Sequence, residues 1–217
     1  MSKEEQLKLL CNEYDKLQNK YGDKNLNSIY FGGCIDKPDI CFVFMNPTKR
    51  NIASAKEWKG HRLPWVGIKN IWDLFNELSL MDKEIYNNIK SIKGSEWTVE
   101  FANKVYDDLS SNKVFITNLA KCTQVDARAL PDKVYERYLD LFLKEMAIVE
   151  PKVIILFGNQ VSSVVLKQKI QVSQCRKKVF ILQNKYKCYS VYYPIGNGRF
   201  NIDKSIEDLK YIINKEI

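Results

Sequence analysis

Four short apolar runs, at residues 40–45, 114–117, 153–157 and 189–193, are spaced by stretches long enough to hold helices. A strand that is apolar at consecutive positions, rather than at alternate ones, is buried on both faces. Strands of that kind joined by helix-length connections belong to a parallel sheet covered on both sides. The intervening segments read as helices. Residues 4–21 carry Leu7, Leu10, Tyr14, Leu17 and Tyr21 at intervals of three and four, and residues 131–149 place Tyr135, Leu139, Phe142 and Met146 on one face. Further helices are predicted at 68–80, 98–109, 159–167 and 203–215, the last opening at Asp203 as an N-cap, with Ile206, Leu209 and Ile213 inward. The pattern predicts an α/β fold: a three-layer α/β/α sandwich around a mainly parallel, four-stranded central sheet. No repeat or Pro/Gly-rich linker divides residues 1–217, so a single domain is expected, with residues 1–28 as a helical extension packed on it.

Composition narrows the function. With 45% hydrophobic residues and only 9 Gly and 6 Pro, the chain has the means to bury a core and is neither disordered nor collagen-like. The longest apolar run, 40–45, is far short of the roughly 18 residues of a membrane span. The opening MSKEEQLKLL lacks the apolar stretch of a signal peptide. A soluble, unsecreted protein of the cytoplasm, or of the nucleus in a eukaryotic cell, is expected. Lys and Arg number 34 against 26 Asp and Glu, a net charge of +8, which suits either a polyanionic partner or a solvated basic surface.

Cys11, Cys34, Cys41, Cys122, Cys175 and Cys188 form no C-x-x-C pair, the mark of a zinc ribbon. His61 is the only histidine, which excludes centres built on two imidazoles. No G-x-S-x-G elbow accompanies it, and neither G-x-G-x-x-G nor G-x-x-x-x-G-K-[ST] follows any predicted strand.

In open parallel sheets, ligands bind beyond the carboxyl ends of the strands. There the chain reads Asn46-Pro47-Thr48, then Asn118, then Tyr193-Pro194-Ile195-Gly196-Asn197-Gly198-Arg199. Each has a plain account as a turn or a loop tie. Their order supports a second account. Cys41-Phe42-Val43-Phe44-Met45-Asn46-Pro47, then Gly60-His61-Arg62-Leu63-Pro64-Trp65-Val66-Gly67, then Val114 to Cys122 with Ala129-Leu130-Pro131, then Val153 to Gly158, resembles the uracil-DNA glycosylase superfamily over roughly residues 30–215. The second and third segments resemble most the branch that carries an iron–sulfur cluster. Met45-Asn46-Pro47 resembles the first motif of the single-strand-selective and mismatch-specific branches.

The resemblance implies a monofunctional DNA glycosylase of base excision repair that flips a nucleotide out of the stack and hydrolyses the bond between base and sugar. Its substrate would be DNA containing uracil or another deaminated base such as hypoxanthine, and a monomer is expected. Asn46 would hold the attacking water, with Met45 and Pro47 beside it. Asn118 would read the base edge with its paired donor and acceptor. Trp65 would stack on the base where the family usually has Phe or Tyr, a core position being the alternative. Arg62, Lys121, Asn197 and Arg199 would contact DNA, with Ile195 or Arg199 as the wedge that enters the minor groove.

Two features depart from the pattern. Where most of the superfamily has His-Pro-Ser, this chain has Tyr193-Pro194-Ile195, so a phenol or a mere wall residue replaces the imidazole donor. A non-catalytic DNA-binding relative is therefore the second reading. Only Cys122 matches a cluster ligand, so no iron–sulfur cluster, other metal or cofactor is expected. Covalent capture of the sugar by His61 is not expected, because the basic insertion of the branch that does so is missing.

Overall fold

The four apolar runs become the centre of the sheet. The computed structural model describes residues 1–217, apart from the side chain of Asn197. In chain order it contains α1 (Lys3–Tyr21), β1 (Phe31–Gly33), β2 (Ile40–Phe44), α2 (Asn70–Glu77), α3 (Lys83–Ser91), α4 (Val99–Ser111), β3 (Val114–Asn118), α5 (Asp132–Val149), β4 (Val153–Phe157), α6 (Asn159–Leu166), the single turn α7 (Val172–Cys175), β5 (Val179–Leu182), β6 (Tyr186–Val191) and α8 (Ile202–Glu216). The strands lie in the order β1-β3-β2-β4-β6-β5. The inner four are parallel, while β1 pairs antiparallel with β3, and β5 with β6.

Strand residues alternate between two cores, as the pleat requires. Ile40, Phe42 and Phe44 join Val114, Ile116, Ile155, Phe157 and Val191 against α2, α3, α4 and α8. Cys41 and Val43 join Phe115, Ile154, Leu156 and Cys188 against α1, α5 and α6. Each such side chain contributes on the order of 1.5–3 kcal/mol by leaving water. Two covered faces make the three layers expected, but the sheet has six strands rather than four.

Both additional strands are edges with weak sequence signals. β1 is Phe-Gly-Gly. β5 presents Val179 and Ile181 to solvent and follows Arg176-Lys177-Lys178. The turn into β6 has positive φ at Gln183 and Asn184 and a hydrogen bond from Lys185 N to the Leu182 carbonyl, the geometry of a hairpin turn without its usual glycine. At the chain's end, α8 begins one residue earlier than predicted, and Asp203 lies in its first turn rather than capping it. Arg176 and Lys177 clasp Asp208 and Glu207, fixing α8 to the segment before β5.

One polar cluster is sealed inside the α1/α5 layer. The Lys121 ammonium lies 3.1 Å from the Glu145 carboxylate, both fully buried, and donates to the Asn118 carbonyl at 2.6 Å and to Thr117. Thr117 and Tyr14 in turn donate to Glu145 at 2.6 and 2.7 Å. Burial pulls the Lys121 pKa down from the usual lysine range, and Glu145 opposes that pull. Replacing Lys121 by Met leaves the Glu145 carboxylate stranded, so a loss of about 3–5 kcal/mol is expected in urea unfolding. A second replacement, Glu145→Leu, should restore most of it.

Candidate functional site

β2 runs between β3 and β4, so the chain leaves the sheet's centre in opposite directions and opens a crevice at the carboxyl ends. The loops after β2, β3, β4 and β6 line a cleft of about 830 Å³ there. Asn46 and Asn118 are held in it by a backbone zipper that continues the sheet. Leu119 and Ala120 N–H groups donate to the Phe44 and Met45 carbonyls at 2.8 and 3.0 Å, and Gln124 N–H donates to the Pro47 carbonyl at 3.0 Å. The two motifs therefore move as one piece.

Asn46 is half-buried, and its amide is engaged at both ends. Its Nδ2 donates to the Pro47 carbonyl at 3.3 Å, and its Oδ1 accepts from the Tyr135 hydroxyl at 2.7 Å. The Asn118 side chain makes no hydrogen bond to the described residues although the residue is only 3% exposed. A nearly buried amide lining a cleft, with neither its donor nor its acceptor bonded among the described residues, is suited to a ligand edge that offers one of each.

Aromatic rings form the floor and wall. Trp65 packs its edge against Phe44 at 4.9 Å, Phe157 stacks on Phe44 at 4.6 Å, and Tyr193 meets Phe44 edge-on at 6.2 Å. Trp65 thus meets both descriptions: it is packed on the core and it lines the cleft. Its backbone lies in the left-handed region, φ 61°, which a bulky residue adopts only when its surroundings impose it. The surroundings do so through Tyr106, which donates to the Pro64 carbonyl, and Asn51, whose Nδ2 donates to the Leu63 carbonyl at 2.9 Å.

The last loop closes the cleft. Burial pushes the Tyr193 phenol well above its ordinary pKa, so it remains a protonated donor through neutral pH. Ile195 turns its side chain to the cleft wall, whereas Arg199 is exposed and lies over the ring of Phe200, itself 81% exposed. Asn197, the loop's expected DNA contact, lies outside the described side chains.

Met45, Asn46, Pro47, Trp65, Asn118 and Tyr193 all line one cleft. Two expected DNA contacts do not. Lys121 is fully buried in its pair with Glu145, so it faces the interior and supports the Asn118 backbone instead of a phosphate. The Arg62 guanidinium is committed to Asp15 at 2.7 Å and to the Tyr30 hydroxyl and ring, tying α1 to the body away from the cleft. Lys49 and Arg50, which the motif reading passed over, are the exposed cations on the cleft wall. Their position directly after Asn46-Pro47-Thr48 was the available signal.

Cys122 is buried with its sulfur 3.7 Å from Gln124 Nε2. Among the described residues no three His, Cys, Asp or Glu side chains converge to hold a metal, a donor set that does not fit a four-thiolate cluster. No helix of the described residues is long and apolar enough to cross a membrane.

The family model described as the Uracil DNA glycosylase superfamily matches residues 31–211, from the first residue of β1 into α8. Comparison with curated proteins finds no match.

The loop's two glycines make contrasting predictions. A Cβ at 198 would overlap the Tyr193 carbonyl oxygen, a backbone atom that cannot yield, whereas a Cβ at 196 would meet nothing within 4 Å. Gly198→Ala should therefore destabilise the protein by about 1–3 kcal/mol and displace Tyr193. Gly196→Ala carries only the strain of a positive φ, roughly 1 kcal/mol. Thermal unfolding of the two variants compares them.

Proposed function

The chain belongs to the uracil-DNA glycosylase superfamily, and from that membership and the furnishing of its cleft we propose that it is a monofunctional glycosylase acting on uracil, or a related deaminated base, in DNA. The observation that carries the reading is the delivery of Asn46, Asn118, Trp65 and Tyr193 to one cleft by four separate chain segments.

In this reading the flipped base enters between the aromatic walls, where stacking on Trp65 is worth ~1–3 kcal/mol and tolerates different bases. Asn118 reads the base edge: its free oxygen accepts from a ring N–H and its amino group donates to the adjacent carbonyl. Cytosine presents the opposite arrangement and is disfavoured. Asn46 holds a water against the sugar carbon. An amide is too weak a base to deprotonate it, so the contribution is placement, while charge in the cleft stabilises the cationic sugar and the departing base. Tyr193, kept protonated by burial, donates to the base as its negative charge develops.

Lys49 and Arg50 on one wall and Arg199 on the rim face phosphates. The wedge we assign is neither Ile195, which is turned to the cleft wall, nor Arg199 alone, but Phe200 with Arg199 over it. A phenyl ring this exposed at a basic rim belongs to neither hydrophobic core and is suited to a gap between base pairs. No cluster or metal has a part in the scheme, so the purified protein should carry no stoichiometric iron.

The phenol at 193, where the resemblance implies an imidazole, favours one second reading: a relative that binds DNA without cutting it. Both are tested by incubating the protein with end-labelled single- and double-stranded DNA carrying uracil, hypoxanthine or a thymine mismatch, followed by alkaline cleavage of abasic sites. Base release is expected, and Asn46→Ala should lower it at least about a hundredfold without weakening DNA binding. DNA binding without base release would favour the second reading. Phe200→Ala should weaken binding to duplex while leaving its salt dependence in place, since that dependence follows the phosphate-facing cations.

A further inference from the structure

We propose that the Tyr135 hydroxyl is a positioning group for Asn46, holding its side-chain amide in the orientation that presents water to the cleft. The proposal rests on the glycosylase reading above.

The two ends of a carboxamide are nearly equal in shape and opposite in hydrogen bonding, so packing alone does not decide which end faces which way. For Asn46 both ends are specified. The Pro47 carbonyl only accepts, so Nδ2 is the end that faces it, at 3.3 Å. That contact is long, and the 2.7 Å bond from the Tyr135 hydroxyl to Oδ1 does most of the holding. Oδ1 keeps a second lone pair, which can accept from a water and turn that water's own lone pair toward the sugar. With the amide reversed, an N–H would occupy that position and the water would lose its acceptor.

Tyr135 is well placed to enforce this. It is fully buried on the first turn of α5, whose start is pinned to α6 by Gln160, donating to the Leu130 carbonyl at 2.9 Å and to Asp132 at 2.7 Å. Burial raises the phenol's pKa, so it remains a donor. The donated bond also makes Oδ1 a poorer base, consistent with a residue that orients water rather than deprotonating it.

The test uses Tyr135→Phe, which keeps the ring. Single-turnover base release should fall about tenfold, the effect of one lost hydrogen bond between neutral groups, with affinity for uncleaved DNA unchanged. A readout that packing alone would not move comes from a carboxyl introduced at the same site. A carboxylate that accepts the phenol's hydrogen bond is favoured in its charged form. In Asn46→Asp, the new carboxyl should therefore titrate at lower pH than in Asn46→Asp/Tyr135→Phe, as followed by carbon NMR. Lys49, Arg50, Asp126 and Tyr193 line the same cleft and are common to both proteins, so the difference belongs to the hydroxyl.

An active parent with Tyr135→Phe equally fast overturns the role, as does a carboxyl that titrates at the same pH with and without Tyr135. So does a rate loss fully accounted for by unfolded protein in the same sample. A parent that releases no base from any substrate overturns the glycosylase reading and this role together.

Discussion

A strand in the middle of a sheet has its backbone groups claimed from both sides, and β2 is claimed by β3 on one side and β4 on the other. The first of the parallel strands is thus an inner one, and the chain must build outward from it in both directions. The crevice at its carboxyl end is a consequence of that order rather than of any single side chain. Asn46, Trp65, Asn118 and Tyr193 all line it. The zipper from residues 119–124 to residues 44–49 extends the β2/β3 pairing past the formal end of both strands and makes Asn46 and Asn118 neighbours on a rigid edge.

Rigidity at that edge is reinforced from beneath. Lys121 grips the Asn118 carbonyl from the opposite face and is anchored by Glu145, itself held by Tyr14 and Thr117. The helix outside the family match, α1, supplies Tyr14 to this cluster, and Gln18 of the same helix accepts from Thr123 N–H at 2.7 Å. A segment that looks like an appendage in sequence is thus wired to the segment that carries Asn118.

How much of this was legible follows from burial. The inner strands were readable because both their faces are covered, which makes them continuously apolar. β1 and β5 lie at the edges, where two glycines in one case and alternating exposure in the other erase that signal. Asn46, Asn118 and Tyr193 were legible as polar or amphipathic residues placed where apolar runs stop. Lys121 was misread because a lysine buried in an ion pair looks, in sequence, like one on the surface. Its partner lies 24 residues away, on α5. Tyr135 was read correctly as a core residue of its helix, but a ring in the core does not reveal where its hydroxyl points. Phe200 escaped notice because exposure belongs to the folded surface and not to the letter.

The loop that carries Phe200 has a further property. Ser205, in the first turns of α8, donates to the Tyr192 carbonyl at 3.0 Å, and the Arg176–Asp208 clasp holds the same helix against the body. Residues 193–204 therefore form an arch whose feet are already tied together. The entropy of closing that arch is spent when the protein folds, not when it meets its partner. With both feet tied, the span of the arch is fixed, and the height to which it can lift a side chain above the cleft is bounded by its length.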